Sequence, residues 1–376
     1  MNKTTILKAW DRWLSIFLIP WFSERSSTVV VHVASILLIR PGGIGDAVLL
    51  IPTVHAIKEK YPAAAITILA ERRNREVFTL CADVDQILHY EQPLELLTAI
   101  KGDYDVVIDT EQWHRLSAIV ARLTRAPLLI GYATNERSRL FTHQIPYSQD
   151  DYESESFFNL AAPLGVQHYQ VPDRFLEIPA AANANVSSIL ADLAGYNYVV
   201  IFPGASIAER RWGCDRFRQV AELLSSLGIP VVVIGGNADK EQGEMIVAGG
   251  GLNLAGRTSL VETAAVIDRS VLLVSGDSGM LHIAVGLGKP TVSLFGPGRG
   301  RKWAPRGERH IVINKELPCS PCTTYGTTPA CPIAAQCMRD ITVDEVFNAI
   351  TMQLTSSGAI GSFCCKRDWI KIDAGR

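Results

Sequence analysis

The chain has 376 residues, 48% of them hydrophobic, enough apolar material for two cores of ordinary size and too much for a disordered protein. Lys and Arg number 36 against 38 Asp and Glu, a net charge of −2. With a pI near 6.5, the chain has no global positive field to attract nucleic acid.

Residues 1–34 read as an amphipathic extension. Residues 5–22 are rich in Trp and aliphatic side chains, and residues 1–40 carry five Lys or Arg against two acidic residues. The uncharged run 13–23 is too short to span a bilayer, and no convincing small-residue cleavage site follows it, which argues against a secretory signal. Two readings satisfy the pattern. One is a helix lying in the membrane interface through Trp10, Trp13, Phe17, Trp21 and Phe22; the other is a helix packed on the protein's own surface.

The first strand, 35–39, runs into Arg40-Pro41-Gly42-Gly43-Ile44-Gly45-Asp46. The helix that follows places Val48, Ile51, Val54 and Ile57 at a spacing of three, one buried face, and Pro52 predicts a bend. A strand turning straight into a helix aims free N–H groups and the positive end of the helix dipole at one point, a ready anion site. The G-G-x-G spacing speaks against a nicotinamide dinucleotide, which calls for G-x-G-x-x-G, although Glu71 after strand 65–70 imitates that fingerprint's acidic residue. Next come the basic cluster Arg72, Arg73 and Arg75, and after strand 105–109 the run Trp113-His114-Arg115. Asp83-Val84-Asp85 and Asp103-Tyr104-Asp105 imitate a metal-binding D-x-D but sit where aspartates make turns, just before apolar strands.

The stretch 171–197, with Pro172, Pro179 and an alanine-rich run, reads as the connection between two domains, its linker at 179–197. Beyond it the pattern repeats. Strand 198–202 opens on Phe202-Pro203-Gly204-Ala205-Ser206 and Arg210-Arg211-Trp212, and strand 230–235 opens on Gly235 and Gly236, with Asp239 and Glu241 following. Ser259 and Glu262 form a capping box. Strand 271–275 opens on Asp277-Ser278-Gly279-Met280-Leu281-His282, and strand 291–295 ends at Gly296-Pro297. Alternating strands and helices in both halves predict two doubly wound parallel sheets, an α/β architecture with domains at 35–178 and 198–350 and a tail at 351–376. Of eight cysteines, Cys319, Cys322, Cys331 and Cys337 cluster at a spacing that leaves a structural metal and plain thiols both open. Cys364-Cys365 are adjacent and do not bridge easily.

R-P-G-G-I-G-D, P-G-A-S with a basic-basic-Trp run, L-A-G-R-T-S-L, and D-S-G-M-L-H with L-F-G-P, in that order over residues 35 to 350, resemble glycosyltransferase family 9. These are the ADP-heptose:lipopolysaccharide heptosyltransferases, of GT-B fold. The resemblance implies two Rossmann-like domains facing across a cleft, acceptor on the N-terminal one and nucleotide-sugar on the other. It implies an inverting transfer needing no cofactor or obligatory metal. Asp46 matches the family's proposed base, with N-cap of the following helix as its structural role. Gly43, Ser206, Arg210, Glu241, Thr258, Asp277, Ser278, Gly279 and His282 match donor-side positions: Ser206 and Arg210 at the diphosphate, Thr258 at the base, Glu241 rather than Asp239 at the ribose. Where the family most often has Lys, this chain has Arg210, which can still clamp phosphate. Arg72, Arg73, Arg75, His114 and Arg115 are acceptor-side candidates suited to an anionic, phosphorylated or Kdo-bearing core. The expected partners are ADP-heptose and a lipopolysaccharide-type acceptor, with no nucleic acid. The expected place is the cytoplasm, with residues 5–22 as a candidate peripheral contact to the inner membrane. Another nucleotide-sugar is the alternative donor, and retention of Asp46 argues against a catalytically dead binding module.

Overall fold

The computed structural model describes residues 32–166 and 170–358. The extension at 5–22 and the pair Cys364-Cys365 lie outside the described residues. Two compact units divide the chain: the first holds residues up to Pro179 together with Arg301–Trp303 and Thr324–Thr327, and the second holds the rest.

The first unit is built on six parallel strands: β1 (Ser35–Arg40), β2 (Ala65–Ala70), β3 (Gln86–His89), β4 (Val106–Asp109), β5 (Leu128–Tyr132) and β6 (His143–Ile145), in the order β3-β2-β1-β4-β5-β6. β1 is central, its Leu38 in register with Ile68 on one side and Ile108 on the other. Ile36, Leu37, Leu38 and Ile39 are all fully buried. An unbroken apolar run is what a parallel strand covered on both faces requires. Leu37, Ile39, Leu69, Val107 and Leu129 join Ala118 and Ala121 of helix Leu116–Leu123 in one core. Helix Ile44–Lys60 carries Pro52 within it.

The second unit repeats the plan with β7 (Val199–Phe202), β8 (Val231–Val233), β9 (Leu252–Asn253), β10 (Leu272–Gly276), β11 (Thr291–Phe295) and β12 (His310–Asn314), ordered β12-β11-β10-β7-β8-β9. Trp212, from the basic-basic-Trp run, is a core residue here. It packs edge-on against Phe217 and donates its indole N–H to the Ile341 carbonyl at 2.9 Å. The stretch read as a linker carries helix Ala180–Ile189, tied to helix Leu260–Arg269 by Asn185 to Glu262 at 3.1 Å and by Arg269 to Ser187 at 2.8 Å. Its alanine-rich sequence favours helix, and it belongs to the second unit. The last described helix, Val343–Ser356, runs past residue 350. Among the described residues no helix is long and apolar enough to cross a membrane.

Candidate active site

In the first sheet the chain leaves β1 towards β2 and β3, and leaves β4 towards β5 and β6. The loops after these two adjacent strands therefore diverge, and the gap they leave at the strands' carboxyl ends is where doubly wound sheets bind ligands. Asp46 stands at that point. Gly42, at φ +115°, makes the turn; a Cβ there would also fall 2.7 Å from the Arg40 guanidinium, so only glycine serves. Gly43 is the N-cap of helix Ile44–Lys60 and caps without a side chain. Asp46 is thus not the N-cap but lies in the first turn, where the dipole favours its charge. Its side chain is 24% exposed and 3.5 Å from an Arg40 nitrogen.

Around Asp46 lies a buried charge network. Arg40, 1% exposed, donates to the Thr110 carbonyl at 2.8 Å, faces Glu111 at 3.7 Å and lies over the Phe157 ring. Burial opposes its charge, yet Asp46, Glu111 and Glu153 together hold its pKa above the usual value. Burial likewise pushes the Glu111 carboxyl up, but Arg40, His114 and Arg137 outweigh it and hold that carboxyl below its usual range. Arg137 pairs with fully buried Asp109, whose carboxyl burial keeps high. Glu153, also fully buried, accepts from Lys302 at 2.8 Å, from the Tyr147 hydroxyl at 3.1 Å and from Gln112. Its carboxyl is raised by burial and then by the Asp46 charge, with Lys302 pulling the other way. Lys302 is itself fully buried, bonded to the carbonyls of Ser148 at 2.8 Å and Asp151 at 3.2 Å, and lies 4.3 Å from the Tyr147 ring centroid.

Arg40, Glu111, Glu153 and Lys302 were missed by sequence reasoning. Arg40 could have been found from its place six residues before Asp46 in the first turn. Lys302, in Arg299-Gly300-Arg301-Lys302, reads as solvated surface charge.

The acceptor-side candidates fare differently from one another. Arg72, Arg73 and Arg75 are exposed after β2, with Arg73 paired to Glu71 at 2.7 Å. His114 is placed by its backbone N–H on Glu111 at 3.3 Å, and Arg115 is engaged with Glu136 at 2.6 Å. Asp85 accepts the Ile66 N–H and Asp105 the Ala34 and Ser35 N–H groups, so both D-x-D runs fasten strand starts.

The second sheet has its own reversal, between β7 and β10. There Arg210, from the loop after β7, meets Asp277, from the loop after β10, at 2.8 Å. Ser278 is the N-cap of helix Gly279–Gly286, accepting the Leu281 N–H at 3.3 Å and lying 2.6 Å from the Ser275 hydroxyl. Arg210 Nε has no hydrogen-bond partner among the described residues, and neither does Nδ1 of buried His282. Burial first, then the Arg210 charge, lowers the His282 pKa to about 4, so its ring is neutral at physiological pH. Arg211 braces the glycine turn by donating to the Ala205 carbonyl at 3.0 Å. Ser206 is exposed on that turn.

Glu241 and Thr258 follow β8 and β9, further along the sheet. Glu241 is exposed in the first turn of helix Lys240–Ile246, while Asp239 is bound to its own loop through the Gly236 N–H at 2.9 Å. Thr258 pairs its hydroxyl with Thr263 at 2.8 Å, and Ser259 with Glu262 forms the capping box read from the sequence. Cys319, Cys322, Cys331 and Cys337 are free thiols, with Cys322 and Cys337 pushed up by burial and by neighbouring thiols. Among the described residues no group of three or more His, Cys, Asp or Glu is arranged to hold a metal.

Two doubly wound sheets, each with an equipped crevice at its reversal, are the plan of GT-B glycosyltransferases. Residues 94–331 match the model of glycosyltransferase family 9 (heptosyltransferase), and the chain belongs to that family. It is 29% identical over 289 residues to lipopolysaccharide heptosyltransferase 3 of Escherichia coli, covering 69% of this chain and 83% of the relative. It is 24% identical over 317 residues to lipooligosaccharide heptosyltransferase 2 of Haemophilus ducreyi, covering 74% and 88%. Similar solved structures include a family 9 glycosyl transferase from Veillonella parvula, with TM-score 0.71 and 19% identity over 86% of this chain and 97% of that one. Another is E. coli ADP-heptose lps heptosyltransferase II, with TM-score 0.70 and 21% identity over 86% and 99%.

Proposed function

We propose that this glycosyltransferase moves a heptose from ADP-heptose to a hydroxyl of a lipopolysaccharide core, with inversion and with Asp46 as general base. Exposure is the observation that carries it. Of the carboxylates around the first crevice, Asp46 is 24% exposed, while Glu111 is at 8% and Asp109 and Glu153 are at zero. Asp46 alone of these four can reach an incoming hydroxyl, and Arg40 orients it. As that hydroxyl attacks the anomeric carbon, Asp46 takes its proton and the bond to the diphosphate breaks. General-base help of this kind contributes about 10²–10⁴-fold.

The departing charge needs donors that do not have to reorganise. Arg210 and the N-terminal N–H groups of helix Gly279–Gly286 supply them. Asp277 holds Arg210 in place, and the unpartnered Nε remains for an anion. Glu241 would meet the ribose, Thr258 the base, and Ser206 the diphosphate. Relatives named for lipopolysaccharide and lipooligosaccharide heptosyl transfer support the acceptor class, and a solved relative with ADP-2-deoxy-2-fluoro heptose supports the donor. The exposed Arg72, Arg73 and Arg75, with His114 and Arg115, are assigned to an anionic acceptor. The cytoplasmic face of the inner membrane is the proposed place of work.

A thermal-shift series with ADP-, UDP-, GDP- and CMP-sugars tests the donor, because a ligand that binds only the native state raises Tm by mass action. A rise confined to ADP-sugars is expected. A rise confined to another nucleotide-sugar would replace the donor.

A further inference from the structure

Trp113 follows β4 and stands at the same reversal as Asp46. Trp113 is 37% exposed, and its backbone is fixed in place: its main-chain N–H donates to Glu111 Oε1 at 3.1 Å and its carbonyl accepts from Asn135 at 2.8 Å. The other oxygen of Glu111 faces Arg40 at 3.7 Å, and Arg40 in turn faces Asp46. One carboxylate thus ties the Trp113 backbone to the guanidinium that orients the base.

Tyr325 stacks on Trp113 with ring centroids 4.3 Å apart and an interplanar angle of 29°, and Tyr147 continues the row at 6.2 Å. The turn that presents Tyr325 is strained. Thr324 and Thr327 exchange two backbone hydrogen bonds at 2.9 Å, and the residues between them, Tyr325 and Gly326, have φ of 45° and 70°. Two successive positive φ values are those of a tight hairpin turn that prefers Asn-Gly. A tyrosine in the left-handed region is strained and persists where something else requires that side chain. Here it extends the aromatic surface begun by Trp113, whose loop leaves the strand next to the one that carries Asp46.

We propose that Trp113 and Tyr325 form a shelf that binds a pyranose ring of the acceptor by its C–H face, next to the hydroxyl that Asp46 deprotonates. The inference rests on the glycosyl-acceptor reading given above for this crevice. The negative face of an aromatic ring attracts the weakly positive C–H edge of a sugar, and both rings are ordered before the ligand arrives. Stacking fixes the plane of the ring, so a shelf beside the base also selects which hydroxyl is presented.

Titration calorimetry of the full chain with a deacylated lipopolysaccharide-core oligosaccharide tests this without turnover. Trp113→Ala and Tyr325→Gly should each weaken binding roughly three- to tenfold, and Trp113→Phe should stay within about twofold of wild type. ADP affinity should be unchanged in all three. Tyr325→Gly should melt no lower than wild type, since glycine relieves the left-handed strain, which separates lost binding from lost folding. Wild type that binds the oligosaccharide while Tyr325→Gly and Trp113→Ala bind it equally well would overturn the shelf alone. Wild type that binds no core oligosaccharide would overturn the acceptor reading and the shelf with it.

Discussion

Lys302→Met should be the most damaging substitution in the first unit that touches no substrate. Lys302 and Glu153 are both fully buried and 2.8 Å apart. Removing the ammonium leaves a buried carboxylate with Tyr147 and Gln112 as donors and no cation bonded to it. Breaking a buried pair in this way costs about 3–5 kcal/mol. The loss should depend on pH in a definite sense. The Glu153 carboxyl is already raised by burial and by Asp46, and without Lys302 it rises further. A carboxyl with a folded pKa above its unfolded one destabilises the fold most where it must be ionised and least where it takes up a proton. The deficit of Lys302→Met, measured by urea unfolding, should therefore be full at pH 8 and shrink towards pH 5. Lys302→Met with Glu153→Gln should recover most of it, because no unpaired charge is left. A variant within about 0.5 kcal/mol of wild type at pH 8, the range of ordinary surface substitutions, would mean that Lys302 is not buried against Glu153.

Arg210→Ala and Asp277→Ala should each weaken nucleotide-sugar binding by about 1–3 kcal/mol in calorimetry, since a charge-assisted hydrogen bond or its brace is lost; unchanged affinity in both would move the nucleotide elsewhere. His282, held to about 4 in the folded chain, favours the neutral ring, so its contribution is whole above pH 6.5 and is lost as pH falls from there towards 4. His282→Asn should flatten that acid-side loss in unfolding curves, and an unaltered pH dependence would contradict the burial. Deleting residues 1–30 should abolish sedimentation with anionic liposomes while transfer to a soluble, delipidated acceptor continues; loss of donor binding or of folding would instead assign that segment to the protein's own surface.

Local chemistry was legible in the sequence, and long-range chemistry was not. Continuous apolar runs such as Ile36-Leu37-Leu38-Ile39 and Val199-Val200-Ile201 announce buried parallel strands, and a glycine after each announces the loop that ends the strand. That loop leads straight into helix Ile44–Lys60 after the first and reaches helix Cys214–Ser226 only later after the second. Asp46, Arg210 and Asp277 could be picked out because each sits within a few residues of such a turn. Strand order is not local, so the reversal points that put Asp46 and Trp113 after adjacent strands, and bring Arg210 beside Asp277, became visible only in the structure. Lys302 is the sharpest case. It sits in a basic run with Arg299 and exposed Arg301, and its burial depends on Glu153, which lies far away along the chain. Short strands such as β9 carry too few residues to show a period. Pro172 and Pro179 mark breaks in the chain, and the alanine-rich run after them favours the helix Ala180–Ile189 that forms there.

Asp46→Asn keeps the shape of the side chain but removes its capacity to take the acceptor proton. Transfer of heptose from ADP-heptose to a deacylated core acceptor should then fall by about two to four decades, with donor affinity little changed. Turnover equal to wild type in Asp46→Asn would take Asp46 out of the mechanism.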